Sequence, residues 1–127
     1  MMSPVELSEW AARYQAMWNA GAEAVAGSCT GGVTYRDADC PEEVAGRDAV
    51  RKVCDTLFAS WHMTYEVDYV LALRDVPGFL VGWKAVMRRK NGDVSVELSG
   101  VDVVYVEQMA IARVESHYDR SPLALAA

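Results

Sequence analysis

Apolar positions change their spacing once along this chain, from a helical rhythm in the first half to a strand rhythm in the second. Between Val5 and Val25, the residues Leu7, Trp10, Tyr14, Met17 and Trp18 fall on one side of a helical wheel. Ser3 and Pro4 with Glu6 mark a helix start, and Asn19-Ala20-Gly21 marks a stop or a turn between two helical pieces. A loop over Ser28 to Gly32 precedes a short strand, Val33-Thr34-Tyr35-Arg36-Asp37. Pro41 to Gly46 reads as a second loop, leading into a helix from Arg47 to Trp61 that buries Val50, Val53, Cys54, Leu57 and Phe58. From Met63 onward alternation takes over. It predicts strands at Thr64 to Leu73, Phe79 to Arg89, Val94 to Val106 and Ile111 to Tyr118, with Asn91-Gly92 as a hairpin signal. The small apolar tail, Ser121 to Ala127, is expected to dock locally or fray.

Helices followed by an antiparallel sheet predict an α+β domain in which the sheet curls and the helices cover one face. A length of 127 residues fits one domain, spanning residues 1–127, with one core. A hydrophobic share of 52% with four Trp and six Tyr excludes a disordered chain, and no apolar stretch is long enough to span a bilayer. Met1 to Glu6 has neither a basic region nor an apolar signal core, so a cytoplasmic location is expected. The net charge of −6 repels phosphate backbones and argues against nucleic-acid binding. The one basic cluster, Arg88-Arg89-Lys90, is expected to be a solvated hairpin tip. Cys29, Cys40 and Cys54 match no zinc or redox spacing and read as reduced thiols, one of them at a burial position. His62 and His117 share no metal-ligand spacing, so no metal site is expected.

One carboxylate breaks the apolar pattern. The run Ser99 to Val106 is rich in β-branched residues and bounded by Gly100, with valines on both faces, which predicts an interior strand covered on each side. Asp102 sits within it. An isolated ionised carboxylate there is costly to desolvate, so Asp102 must be hydrogen-bonded, paired or kept protonated. In the last case it becomes a neutral hydrogen-bond donor, because burial raises the pKa of an acid. Strand alternation also gives Val81, Trp83, Ala85 and Met87 a common apolar side, with Trp83 suited to wall a flat hydrophobic ligand. Val114, Ser116 and Tyr118 share one face of the last strand, and His117 points the other way.

Three segments taken together, in this order and at these separations, carry a family likeness. They are Arg13-Tyr14-Gln15-Ala16-Met17-Trp18-Asn19-Ala20-Gly21, then Val33 to Asp37 followed by Gly46-Arg47-Asp48-Ala49-Val50-Arg51, then Gly100-Val101-Asp102-Val103. Across nearly its whole length the chain resembles the ketosteroid isomerases and SnoaL-like proteins of the nuclear-transport-factor-2-like superfamily. The resemblance implies a cone-shaped, curved, antiparallel (mixed) sheet with helices covering one face, the ketosteroid isomerase or cystatin-like roll. It also implies that Tyr14, Asp37 and Asp102 converge on one apolar pocket, with Asp37 as general base and Tyr14 with protonated Asp102 as oxyanion hole. Trp83, Val114, Ser116 and Tyr118 are the implied substrate-binding residues, with no cofactor and a small apolar, steroid-like or polyketide-like ligand.

The residue types suit that chemistry, since moving a proton next to a carbonyl needs a base at the carbon and donors at the oxygen. Two departures bear on it. Ala38 follows Asp37 where the family commonly has proline, which removes a source of rigidity from the base loop, and Asp39 stands nearby as a competing base. Ser116 occupies a position where the epoxide-hydrolase branch would place a carboxylate, which argues against that branch. The functions to weigh are an isomerase of an apolar polycyclic ketone, a SnoaL-like cyclase or dehydratase, and a small-molecule-binding module without turnover. The valines on both faces of the strand around Asp102 suggest a homodimer through the outer sheet face.

Overall fold

The computed structural model describes residues 1–126. In chain order these form α1 (Pro4–Ala20), α2 (Ala22–Gly27), β1 (Cys29–Arg36), β2 (Val44–Ala45), α3 (Arg47–Ser60), β3 (Trp61–Ala72), β4 (Gly78–Arg89), β5 (Ser95–Glu107), β6 (Ala110–Tyr118) and α4 (Ser121–Ala126). A reciprocal cap fixes the start of α1: the Ser3 hydroxyl accepts from the Glu6 amide at 3.2 Å, and the Glu6 carboxylate accepts from the Ser3 amide at 3.1 Å. Gly21, at φ 116°, ends α1 and opens α2, so the break in the long helical pattern is a turn between two helices.

The strands form one sheet in the order β2-β1-β6-β5-β4-β3. Three successive hairpins build β3 to β6 as an antiparallel meander, and β1 joins β6 in parallel, which makes the sheet mixed. Burial follows alternation closely on β4, where Phe79, Val81, Trp83, Ala85 and Met87 are buried while Lys84, Val86 and Arg88 are exposed. The inner sheet face and the helices share a single apolar cluster that runs from Trp10 on α1 through Phe79 and Val104 to Leu123 on α4. The architecture is the expected α+β roll.

Several local expectations change. β1 begins at Cys29 rather than after Gly32, because Cys29 pairs with Ile111 and a bulge carries the exposed Gly31-Gly32 before pairing resumes at Thr34. Asp37 lies just past the end of β1, and Trp61 opens β3 instead of ending α3. The expected loop at Pro41 to Gly46 contains the short strand β2. β5 is central in the strand order, yet only its inner face is covered: Asp102, Val104 and Val106 are buried, whereas Val101, Val103 and Tyr105 are half-buried on the outer face. The outer valines reflect the strand preference of β-branched residues. The basic tip is only partly solvated, because the Arg89 guanidinium lies 5.2 Å from the centre of the Trp61 ring and donates to the Ala126 carbonyl at 3.3 Å. The tail docks, with Leu123 buried; Ala127 lies outside the described residues.

Gly100 faces Trp83 across the β4–β5 ladder, where a Cβ would stand 2.5 Å from Trp83 Cζ2 and 2.6 Å from the His117 carbonyl oxygen. The missing side chain makes room for the indole. Gly100→Ala is therefore expected to cost about 1–3 kcal/mol in urea unfolding, as overpacking does. Gly92→Ala, where a Cβ meets nothing within 4 Å, is the control and should change stability by less than about 0.5 kcal/mol.

Candidate active site

Helix phase and strand parity bring Tyr14 and Asp102 together inside the roll. The Tyr14 hydroxyl and Asp102 Oδ2 lie 2.5 Å apart, and the Trp83 indole N–H donates to Asp102 Oδ1 at 2.8 Å. Tyr14 is fully buried and Asp102 is 2% exposed. Ser116 stands directly opposite Asp102 on β6. Of the three states open to Asp102, hydrogen bonding is thus met outright. Burial pushes the Asp102 carboxyl above the ordinary carboxylate range, and the polar groups of Ser116, Tyr14 and Trp83 oppose that rise without cancelling it. Burial, with the nearby Asp102 charge, holds the Tyr14 phenol well above its usual value.

Asp37 reaches the same interior from the end of β1. Its Oδ1 accepts the amide N–H groups of Asp39 at 2.8 Å and Cys40 at 2.7 Å, and its Oδ2 accepts the Tyr35 hydroxyl at 2.5 Å. Backbone bonds between Asp37 and Cys40, at 3.0 and 3.2 Å, close the loop. These contacts supply the rigidity that a proline at Ala38 would have given. Asp39 is turned elsewhere: its carboxylate accepts from Arg120 at 2.5 Å and from the Tyr118 hydroxyl at 3.2 Å.

Asp37 and Asp102 both line an inner chamber of about 50 Å³, together with Trp18, Tyr65, Trp83 and Leu123. Ser116 and Tyr118 line it as well, whereas Val114 is buried opposite Tyr35 in the β1–β6 ladder and lies outside the lining. An adjoining outer cavity of about 480 Å³ shares Trp18, Tyr35, Asp37, Tyr118 and Leu123 with it and opens past Asp39 and Arg120. Sites for drug-sized ligands run from about 300 to 1,000 Å³. The inner chamber alone falls below that range, whereas the outer cavity lies within it. A separate concavity of about 1000 Å³, around Met1, Met2 and the β5–β6 turn, contains none of these groups.

Sequence reasoning missed Tyr35 and Tyr65 as lining residues, although alternation places Tyr35 on the same face as Asp37 and Tyr65 on the same face as the buried Trp61. It placed Trp18 on the buried side of α1 but not at a cavity. Among the described residues no group of three His, Cys, Asp or Glu side chains is arranged to hold a metal, and no helix is long and apolar enough to cross a membrane. The three cysteines are free; Cys29 and Cys54 are both buried, where desolvation raises their thiols to about 11 and about 12.

The chain has the nuclear-transport-factor-2-like, ketosteroid isomerase-like fold. Among solved structures, it is similar to a candidate isomerase from Bacillus subtilis, at 12% identity, TM-score 0.83, covering 98% of this chain and 95% of that one. It is similar to SalBIII, an epoxide hydrolase/cyclase-like enzyme of pyran ring formation in the polyether salinomycin, at 20% identity, TM-score 0.80, covering 96% and 97%. A candidate SnoaL-like polyketide cyclase from Jannaschia sp. CCS1 matches at 15% identity, TM-score 0.78, covering 99% and 94%. No protein-family model and no curated protein sequence matches the chain.

The raised pKa of Asp102 gives stability a definite pH dependence. The folded chain keeps this proton to a higher pH than the unfolded chain, so stability falls as pH rises from the ordinary carboxylate value, about 4, through the raised one. Asp102→Asn abolishes that titration. Between about pH 4 and pH 8, the urea midpoint of the native chain is expected to fall relative to that of Asp102→Asn, and a constant difference would show an unshifted Asp102.

Proposed function

We propose that this protein is a cofactor-independent isomerase that moves a proton next to the carbonyl of an apolar polycyclic ketone. The observation that carries the reading is the meeting of Asp37 and Asp102 at one small chamber walled by aromatic side chains, with Tyr14 outside that lining and hydrogen-bonded to Asp102. In the reaction Asp37 removes a proton from the carbon beside the carbonyl and electrons shift to the oxygen, giving an enolate. Tyr14, hydrogen-bonded to Asp102, stabilises that charge. Asp37 then returns the proton to the far carbon of the conjugated system, so the double bond moves and nothing else is consumed. Trp83, Ser116 and Tyr118 shape the chamber around the rings, and the fold likeness to the Bacillus subtilis candidate isomerase accords with this chemistry.

A second reading rests on the proton that burial favours on Asp102. A neutral carboxyl can also protonate a departing hydroxyl, which would make the site a SnoaL-like cyclase or dehydratase. The outer sheet face, with Leu71 exposed and Val101, Val103 and Tyr105 half-buried, is the surface for a homodimer. Sedimentation at micromolar concentration is expected to give twice the chain mass of 14.0 kDa; the single-chain mass would remove the dimer.

Turnover of 5-androstene-3,17-dione tests the isomerase directly. Asp37→Asn should lower kcat by about 10²-fold or more while leaving ligand binding in place, because an amide is no base. Asp102→Asn should retain part of the activity, since the amide can still donate a hydrogen bond. Equal, small losses from both would make the carboxylates structural. Release of water from a hydroxylated substrate without double-bond migration would favour the cyclase or dehydratase.

A further inference from the structure

Two buried donors in the chamber have no partner. The Tyr65 hydroxyl and the Trp18 indole N–H make no hydrogen bond, although Tyr65 is 4% and Trp18 6% exposed and both residues line the inner chamber. Buried polar atoms are rarely left so, and each unmet group costs stability. An indole N–H can only donate, so whatever meets Trp18 must be an acceptor.

The surroundings show which acceptor fits. The Tyr65 ring is sandwiched between two indoles, stacked on Trp18 with ring centres 6.0 Å apart and on Trp83 at 5.3 Å. Tyr14 neighbours both unpartnered groups, meeting the Trp18 ring edge-on at 6.4 Å and the Tyr65 ring at 6.2 Å. Asp102, by contrast, already has Oδ1 engaged by Trp83 and Oδ2 by Tyr14. It is occupied by the protein, and the free donors lie beside it on the aromatic stack.

We infer that Tyr65 Oη–H and Trp18 Nε1–H bind the ligand's oxygen, so that the anion-stabilising site of this chain is a pair of aromatic donors beside the bonded Tyr14–Asp102 pair. This deepens the reading of the chamber given above and rests on it. The ligand class is a flat, fused-ring molecule carrying a carbonyl or phenolate oxygen, its rings against the indoles and its oxygen at the donors. Without a ligand, the chamber of about 50 Å³ has room for a water, which takes up about 30 Å³ in the liquid.

The probe is 2-naphthol, with naphthalene as its oxygen-free control, titrated into the full chain. The native protein should prefer 2-naphthol. Tyr65→Phe should weaken 2-naphthol binding about tenfold or more, leave naphthalene binding unchanged, and hold or raise Tm, because the hydroxyl it removes has no partner to lose. Trp18→Phe should shift the same preference in the same direction. The inference is overturned if native protein shows no preference, if both variants keep the full preference, or if Tyr65→Phe lowers Tm, which would give the hydroxyl a structural partner. A preference that Tyr65→Phe erases, in a protein with no ketone turnover, removes the isomerase reading and leaves the donor pair standing. Turnover with a preference that both variants keep does the reverse.

Discussion

The hydrogen bond between Tyr14 and Asp102 joins the middle of the first helix to the centre of the sheet, across 88 positions of sequence. Neither group could be buried alone at acceptable cost: the phenol would lose its partner and the carboxyl its solvation. Together with Trp83 and Ser116 they form a polar knot within an apolar interior, and each member is held by a different element. The knot requires α1, which packs chiefly against β3, to keep one rotational setting, because a turn of the helix by one residue would carry Tyr14 about 100° away from the carboxyl. The site and the packing of the helix on the sheet are thus the same constraint.

A second polar arrangement ties down the open end. Asp37 is clamped by Tyr35 and two amides, while its neighbour Asp39 reaches Arg120 and Tyr118, immediately before α4. The loop carrying the candidate base is therefore linked to the segment whose Leu123 lines the chamber. An exposed ion pair of this kind contributes little to stability, about 0–1 kcal/mol. Its part is to set the loop against the start of α4 rather than to stabilise the fold.

Much of this was legible in the sequence, and the reasons are specific. Periodicity on α1 placed Tyr14 inward, alternation on β4 placed Trp83 inward, and the conspicuous polarity of Asp102 marked the centre of the sheet. Those signals are local and geometric. What stayed hidden depends on contacts between distant segments: the parallel pairing of β1 with β6, which turns Cys29 from loop to strand, and the docking of the tail. Val114 shows the limit of parity. It shares a face with Ser116 and Tyr118, but it packs in the core opposite Tyr35 and is not among the chamber's lining residues. The hydrogen bond from Trp83 to Asp102 was likewise beyond reach, because it requires Gly100 to leave its place open.

All four tryptophans are buried, and two of them, Trp18 and Trp83, stand on either side of Tyr65 at the chamber wall. Indole emission depends on the polarity and the stacking partners of its surroundings, so this wall carries its own optical label. A molecule entering between the rings changes the medium around both indoles at once, and intrinsic fluorescence becomes a readout of occupancy that needs no known reaction. The aromatic stack that makes the interior hospitable to flat rings also makes their arrival visible, and a library of candidate ligands can be screened on the unmodified chain by light alone.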